Sequence, residues 1–379
     1  MSDARLFQLS LRHQAAEHAR LLRPAPSYAA LTLLARAPLM RAIVYSQTGL
    51  PDVLRLVERP VPEPGPGEVR VRIAVSGVNP TDWKARYAGG TGTPPPFPEV
   101  VPNQDGSGVV DAVGDGVPSD RVGERVWVWE ACWQRADGTA QEYVVLPAEQ
   151  AVPLPAGASF ELGASLGIPA LTAHRCLTVS LSDPPRLSAG CLDGRTILVA
   201  GGAGAVGHAA IELARWAGAQ VVATVSDESK ADLARAAGAD HVVDYRSDRA
   251  TDAILEFAPG GVSTVVEVAP SANIALDLAV LAPLGTVAAY ANGTDESLEL
   301  PVRELMTRNA AYQLILVYTV SDEVKRDRVA DVTAALADGA LSVGAESGLP
   351  LHRFALEETA EAHAAVEAGA VGKVLVQVT

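Results

Sequence analysis

The sequence predicts an α/β protein of two domains, a β-rich antiparallel one and a doubly wound parallel sheet. Three observations carry that expectation. Apolar and charged residues alternate at the strand period in the first half, as in Glu68-Val69-Arg70-Val71-Arg72-Ile73-Ala74-Val75. From about Arg195 strands alternate with helical stretches, a grammar that calls for a parallel sheet with helices on both faces. Glycines at G-x-G-x-x-G spacing join the first of those strands to the first of those helices.

The elements follow in order. Residues 1–39 carry five arginines, only Asp3 and Glu17 as acids, and a Pro/Ala-rich stretch, and strand patterning starts after Met40. They are set aside as an appendage, read as a mispredicted start ahead of a targeting peptide or a flexible arm. Residues 40–163 read as the β domain, with a rigid turn over 60–67 and a proline-rich stretch over 93–98 that is unfit for a central strand. Residues 164–311 read as the parallel domain: strand 196–200, helix 205–217, strand 220–225, helix 228–237, a third strand ending before Tyr245, strand 264–268, helix 272–281 and strand 285–291. Residues 312–379 return to the β domain through a helix bearing Arg326, Val329, Val332 and Leu336 and a last strand over 373–378. The segment over 181–193 has no assigned role.

Composition narrows the partners. The 379 residues are 48% hydrophobic and 20% charged, as in ordinary globular proteins. A net charge of −15 argues against nucleic acid as the main partner, which needs a basic stripe. Three cysteines, Cys132, Cys176 and Cys191, have neither C-x-x-C spacing nor a framework pattern, so a reduced, cytoplasmic compartment is expected. No run reaches the roughly 18 to 20 apolar residues of a membrane span; Asp277, Pro283 and Gly285 break the longest candidates. Only four of the 30 basic residues are lysines, so Lys84, Lys230, Lys325 and Lys373 each merit a reason.

The strongest motif is Thr196-Ile197-Leu198-Val199-Ala200-Gly201-Gly202-Ala203-Gly204-Ala205-Val206-Gly207. A buried strand runs into Gly202, Gly204 and Gly207, and Ala205 and Val206 open an apolar helix. In a Rossmann-type fold the first glycine permits the turn, the second lets the backbone approach a pyrophosphate, and the third lets helix and strand pack closely. The helix N-terminus adds N–H groups and partial positive charge. Cofactor choice is read at the end of the second strand, where an NAD site presents a carboxylate to the ribose. Val225 stands there instead, followed by Ser226, with Lys230 a turn later, which favours NADPH. Asp227 is the competing acid, but beside Glu228 it suits a helix N-terminus. Tyr245 and Arg246 flank the adenosine end or are solvated loop residues.

From Met40 to Thr379 the chain resembles the zinc-independent medium-chain dehydrogenases/reductases, specifically the zeta-crystallin-like NADPH:quinone oxidoreductases. The segments that carry the resemblance are Gly77-Val78-Asn79-Pro80, Gly106-Ser107-Gly108-Val109-Val110, Gly123-Glu124-Arg125-Val126, Gly167-Ile168-Pro169-Ala170-Leu171-Thr172-Ala173, the glycine motif and Gly372-Lys373-Val374. It implies a GroES-like catalytic domain, a Rossmann domain, a cleft where nicotinamide meets substrate, and a homodimer. Where zinc-dependent relatives carry ligands this chain has Asn79, Gln104 beside Asp105, and Ile168, so no metal is expected. His174, Cys132 and Cys176 lack ligand spacing and read as packing.

Without a Lewis acid, alkoxide stabilisation worth several kcal/mol must come from elsewhere, so simple alcohols are poor substrates. A quinone or activated alkene is already electrophilic and spreads the arriving charge. Asn79 is the first candidate to hydrogen-bond the nicotinamide ribose or the substrate oxygen, and Thr172 is expected near the nicotinamide by resemblance. Lys373 faces either the cleft or solvent. Many relatives have tyrosine five residues after the asparagine, where this chain has Lys84, which speaks against aromatic stacking of a quinone and for a carbonyl- or carboxylate-bearing substrate. The leading expectation is an NADPH:quinone reductase; an enoyl or alkenal reductase and a protein that binds NADPH without turnover are the alternatives.

Overall fold

A computed structural model describes residues 38–88, 90–180, 184–293 and 297–379. Apart from Pro38 and Leu39 the expected appendage lies outside these residues, as do residues 181–183. The described chain divides into two units. One takes in the chain up to Gly167, His352–Ala370 and Val374–Thr379; the other is Ile168–Leu351 with Val371–Lys373.

Alternation in the first half does produce strands: β1 (Leu39–Val44), β2 (Arg55–Pro60), β3 (Glu68–Val78), β4 (Asp105–Val113), β5 (Arg125–Val128), β6 (Tyr143–Pro147) and β7 (Ala151–Pro153), with helices α1 (Pro80–Tyr87) and α2 (Phe160–Gly163). On β3, Val69, Val71 and Ile73 are buried while Arg70 turns outward to a two-point pairing with Asp111 on β4 at 2.9 and 3.0 Å. A Cβ at Gly108 would collide with the backbone of Arg72, so the Gly-Ser-Gly run lets β4 lie flush against β3. The proline-rich 93–98 stretch forms no strand.

In the second unit α3 (Gly167–Leu177) precedes β8 (Thr196–Ala200), α4 (Ala205–Trp216), β9 (Gln220–Val225), α5 (Glu228–Ala236), β10 (His241–Asp244), α6 (Ala250–Phe257), β11 (Val262–Glu267), α7 (Pro270–Val280), β12 (Leu281–Ala289), α8 (Val302–Arg308), β13 (Ala311–Leu314) and α9 (Asp322–Ala337). Six parallel strands run in the order β10-β9-β8-β11-β12-β13. Leu198, Val222, Val265 and Val287 fill the core, each worth about 1.5–3 kcal/mol of burial.

The chain then returns to the first unit through β14 (Leu351–Ala355), α10 (Thr359–Glu367) and β15 (Lys373–Gln377), giving a seven-stranded sheet in the order β14-β15-β3-β4-β5-β7 with β6 also on β3. The expected return at residue 312 is therefore corrected to His352. β13 is the sixth parallel strand, paired from Thr286↔Ala311 to Ala289↔Leu314. The helix at 322–337 belongs to the second unit because Asp331 is bound there by His174 of α3. Part of the unassigned 181–193 segment is tied to the same carboxylate by Arg186 and by the N–H of Leu187, at 2.9 and 2.8 Å.

Candidate functional site

The glycine motif folds as a strand–turn–helix, with one change of roles. The left-handed turn residue is Gly201 (φ 69°), one position ahead of Gly202. Gly202 is instead a packing glycine, since a Cβ there would lie 2.8 Å from that of Ala223. A Cβ at Gly207 would run into the Gly201 carbonyl, whereas Gly204 meets only that oxygen, at 3.4 Å. Gly204 also N-caps α4 without a side chain, so the first-turn N–H groups of Ala205, Val206 and Gly207 have no intrahelical acceptor. An open glycine before orphan N–H groups fits a pyrophosphate. Strand order reverses between β8 and β11, the place where such sheets take a dinucleotide.

Gly204 bridges Gly372, which adopts φ 105° and lies against Pro350. Lys373, whose N–H donates to the Pro350 carbonyl at 2.9 Å, is only 1% exposed, which removes the solvated reading. The signal for Gly372 was available as the terminal Gly-Lys pair, but its partner lies 168 residues away. Thr172 is buried on α3, two residues before His174.

At the end of β9, Lys230 donates to the Ser226 hydroxyl at 2.6 Å, and Val225 is buried. Asp227 caps α5, accepting the Lys230 N–H at 3.0 Å and the Ser229 hydroxyl at 2.6 Å. Those hydrogen bonds hold its pKa well below the usual carboxylate range. Lys230 Nζ also lies 3.3 Å from Asp227, so a phosphate here would share that ammonium with a carboxylate. The Tyr245 N–H bonds the Val225 carbonyl at 3.1 Å, which brings its exposed ring beside this corner.

In the first unit Asn79 is 2% exposed at the start of α1. Its N–H donates to Asp82 and its side-chain Nδ2 to Asp105, both at 2.7 Å. A carboxylate only accepts, so Asp105 sets which way the amide faces. Gly167 makes room for Asp105, because a Cβ there would overlap the carboxylate. Gln104 donates its N–H to Asp82 and accepts the Cys132 N–H at 3.0 Å. Lys84 stands on the exposed face of α1 with its ammonium 5.9 Å from the Trp83 ring centroid. The hold of Asp105 on Asn79 spans 26 residues and leaves no local signal in the sequence.

Residues 65–156 match the family described as the alcohol dehydrogenase GroES-like domain, and residues 205–335 the one described as zinc-binding dehydrogenase. A quinone oxidoreductase of Lama guanicoe is 30% identical over 89% of this chain and 97% of its own. The rat synaptic vesicle membrane protein VAT-1 homolog is 33% identical over 71% of this chain, which spans 63% of that relative's length. Among solved structures, a mycobacterial protein complexed with NADPH superposes with TM-score 0.73 at 29% identity, covering 89% of this chain and all of that one. An NAD-dependent alcohol dehydrogenase does so with TM-score 0.75 at 29% identity, covering 90% and all of that chain. The fold is thus common to users of either cofactor.

Zinc in the family description can be tested against the donors present. Among the described residues no three His, Cys, Asp or Glu side chains gather as a metal site. Asn79 and Gln104 are amides spent on Asp105 and Cys132. The Cys132 thiol donates to the Val101 carbonyl, and burial, with Asp82 adding to it, pushes its pKa up to about 12, far from the thiolate that zinc needs. His174 is held by Asp331 at 2.8 Å, and burial pushes both its pKa down and that of the Cys176 thiol up. The donor set does not fit zinc.

Proposed function

Because the chain belongs to the quinone oxidoreductase family of medium-chain dehydrogenases/reductases, we propose that it uses NADPH, without zinc, to reduce a quinone or a similar electrophile. The observation that carries the cofactor choice is the Lys230–Ser226 pair where an NAD site needs an acid. An ammonium and a hydroxyl suit a 2′-phosphate, while Asp227 is committed to its helix. The open face of Gly204 and the N–H groups of Ala205 and Val206 receive the pyrophosphate.

Bound NADPH would supply a hydride, and reduction of a quinone to a hydroquinone then takes one proton from water. Asn79 hydrogen-bonds the nicotinamide ribose or the substrate oxygen, with its amide fixed by Asp105. Thr172 and Lys373 complete the nicotinamide end. With amides in place of metal ligands, the acceptor must carry its own conjugation to spread the arriving charge.

A second reading, reduction of an activated alkene bearing a carbonyl or carboxylate, is favoured by Lys84 on the outer face of α1. The chain is also proposed to pair with a second copy along β13. That strand ends the parallel sheet, and Leu314 (69% exposed), Leu316, Val302 and Met306 are apolar and exposed around it among the described residues.

The test is turnover of NADPH and of NADH against benzoquinones, naphthoquinones, enones and enoyl thioesters. Quinone turnover preferring NADPH is expected. Turnover of enones or enoyl thioesters alone selects the second reading, and tight NADPH binding with no turnover leaves a binding protein.

A further inference from the structure

Glu267 ends β11, and Asp277 lies two turns into α7. Both are buried, at 0% and 1% exposure, and their carboxyl groups lie close enough to act on each other. Glu267 also accepts the N–H groups of Val268 and Ala269 and the Asn273 side-chain amide, the last at 3.0 and 3.2 Å to its two oxygens. Asp277 Oδ2 has no hydrogen-bond partner. The titratable groups facing the pair are hydroxyls: Tyr312 from β13, and Tyr290 just after β12, which in turn lies near the Cys176 thiol of α3. Burial pushes these three groups up, so all are neutral at pH 7.

Two neighbouring carboxylates this deeply buried do not both ionise at neutral pH. A proton on Asp277 solves this, since Asp277 then donates and Glu267 only accepts. The turn that Glu267 grips lies at the point where strand order reverses, and Val268 packs on the other side of that crevice: a Cβ on Gly201 would meet its Cγ1 at 3.2 Å.

We propose that Glu267 and Asp277 hold one proton between them and act as positioning residues, setting the Val268–Ala269 turn against the glycine turn of the cofactor site. The inference rests on reading the second unit as an NADPH site. Burial first, then Glu267, raises the Asp277 pKa to about 9. A carboxyl raised in the folded state adds stability that is complete below its unfolded pKa and is lost as pH climbs through the folded one. Alkaline pH therefore splits the pair and releases the turn.

The experiment measures NADPH dissociation constants from pH 6 to 10 for the natural chain and D277N, whose amide donates to Glu267 without a titratable proton. Melting temperatures of both cofactor-free chains are taken over the same range. The natural chain is expected to bind about tenfold more weakly at pH 10 than at pH 7, and D277N to change by less than about threefold. The natural chain's melting temperature falls more steeply with pH than the variant's. The double variant E267Q/D277N, which leaves no carboxyl in the pair, shows the same flattening and serves if D277N fails to fold. Parallel profiles for the natural chain and both variants overturn the proposal. Should no NADPH bind at any pH, the cofactor reading fails instead, and the melting profiles alone decide whether the pair shares a proton.

Discussion

If Lys230 and Ser226 receive the 2′-phosphate, as proposed, they decide between two cofactors that differ by that one phosphate, and their removal has an asymmetric effect. Loss of one charge-assisted contact costs roughly 1.5–3 kcal/mol, so Lys230→Ala weakens NADPH binding by about tenfold or more and leaves NADH unchanged, as fluorescence titration with both nucleotides would show. Equal effects on both would remove the lysine from the 2′-phosphate. A second residue-scale expectation concerns Asp331. Burial pushes its pKa up, but hydrogen bonds from His174, Arg186 and the Leu187 N–H outweigh that and hold it at about 2. Because this pKa is depressed, its stabilisation is present above the unfolded carboxylate value and is lost as pH falls towards 2. Asp331→Ala should cost about 2–4 kcal/mol in urea unfolding at pH 7, discounted for the half-exposed Arg186, and that deficit should shrink as the pH is lowered. A pH-independent deficit would contradict the assignment. Ser226 and Lys230 were legible because strand end and helix start fix their spacing locally. Asp331 was not, because its partner His174 is 157 residues away.

The strand–turn–helix from β8 to α4 separates folding from binding glycine by glycine. Gly207→Ala puts a methyl into the Gly201 carbonyl and should destabilise by about 1–3 kcal/mol in thermal or denaturant unfolding. Gly204→Ala has room, at 3.4 Å from that oxygen, so it should melt near the natural chain yet lose NADPH affinity by at least about tenfold, since its methyl occupies the phosphate's approach. If Gly204→Ala binds normally, the pyrophosphate does not lie there. Elements defined by their own periodicity came out of the sequence within a residue or two, as at β8, β9 and α5. The turn residue was misplaced by one, because Gly201 and Gly202 are alike in sequence and differ only in φ. β13 was missed since four residues, Ala-Tyr-Gln-Leu, make a strand only by pairing with β12, and that error carried the domain boundary from 351 back to 312.

At the scale of the whole molecule, the proposed pairing along β13 rests on apolar side chains that are exposed among the described residues. The natural chain is expected to run as a dimer in light scattering and a Leu314→Glu, Met306→Glu chain as a monomer; identical masses would place any contact elsewhere. The two-domain architecture and the family were legible from the sequence; the acceptor was not, because pocket shape is set by side chains that the cofactor motifs do not constrain. The proposed reaction is hydride transfer from NADPH to a conjugated acceptor, with the amides of Asn79 and Gln104 and no zinc. Its most direct test is the rate of NADPH oxidation by 1,4-benzoquinone before and after the chain is stripped of metal with a chelator. Zinc-free hydride transfer predicts turnover that survives stripping and is unaffected by added zinc; turnover that vanishes on stripping and returns with zinc would contradict it.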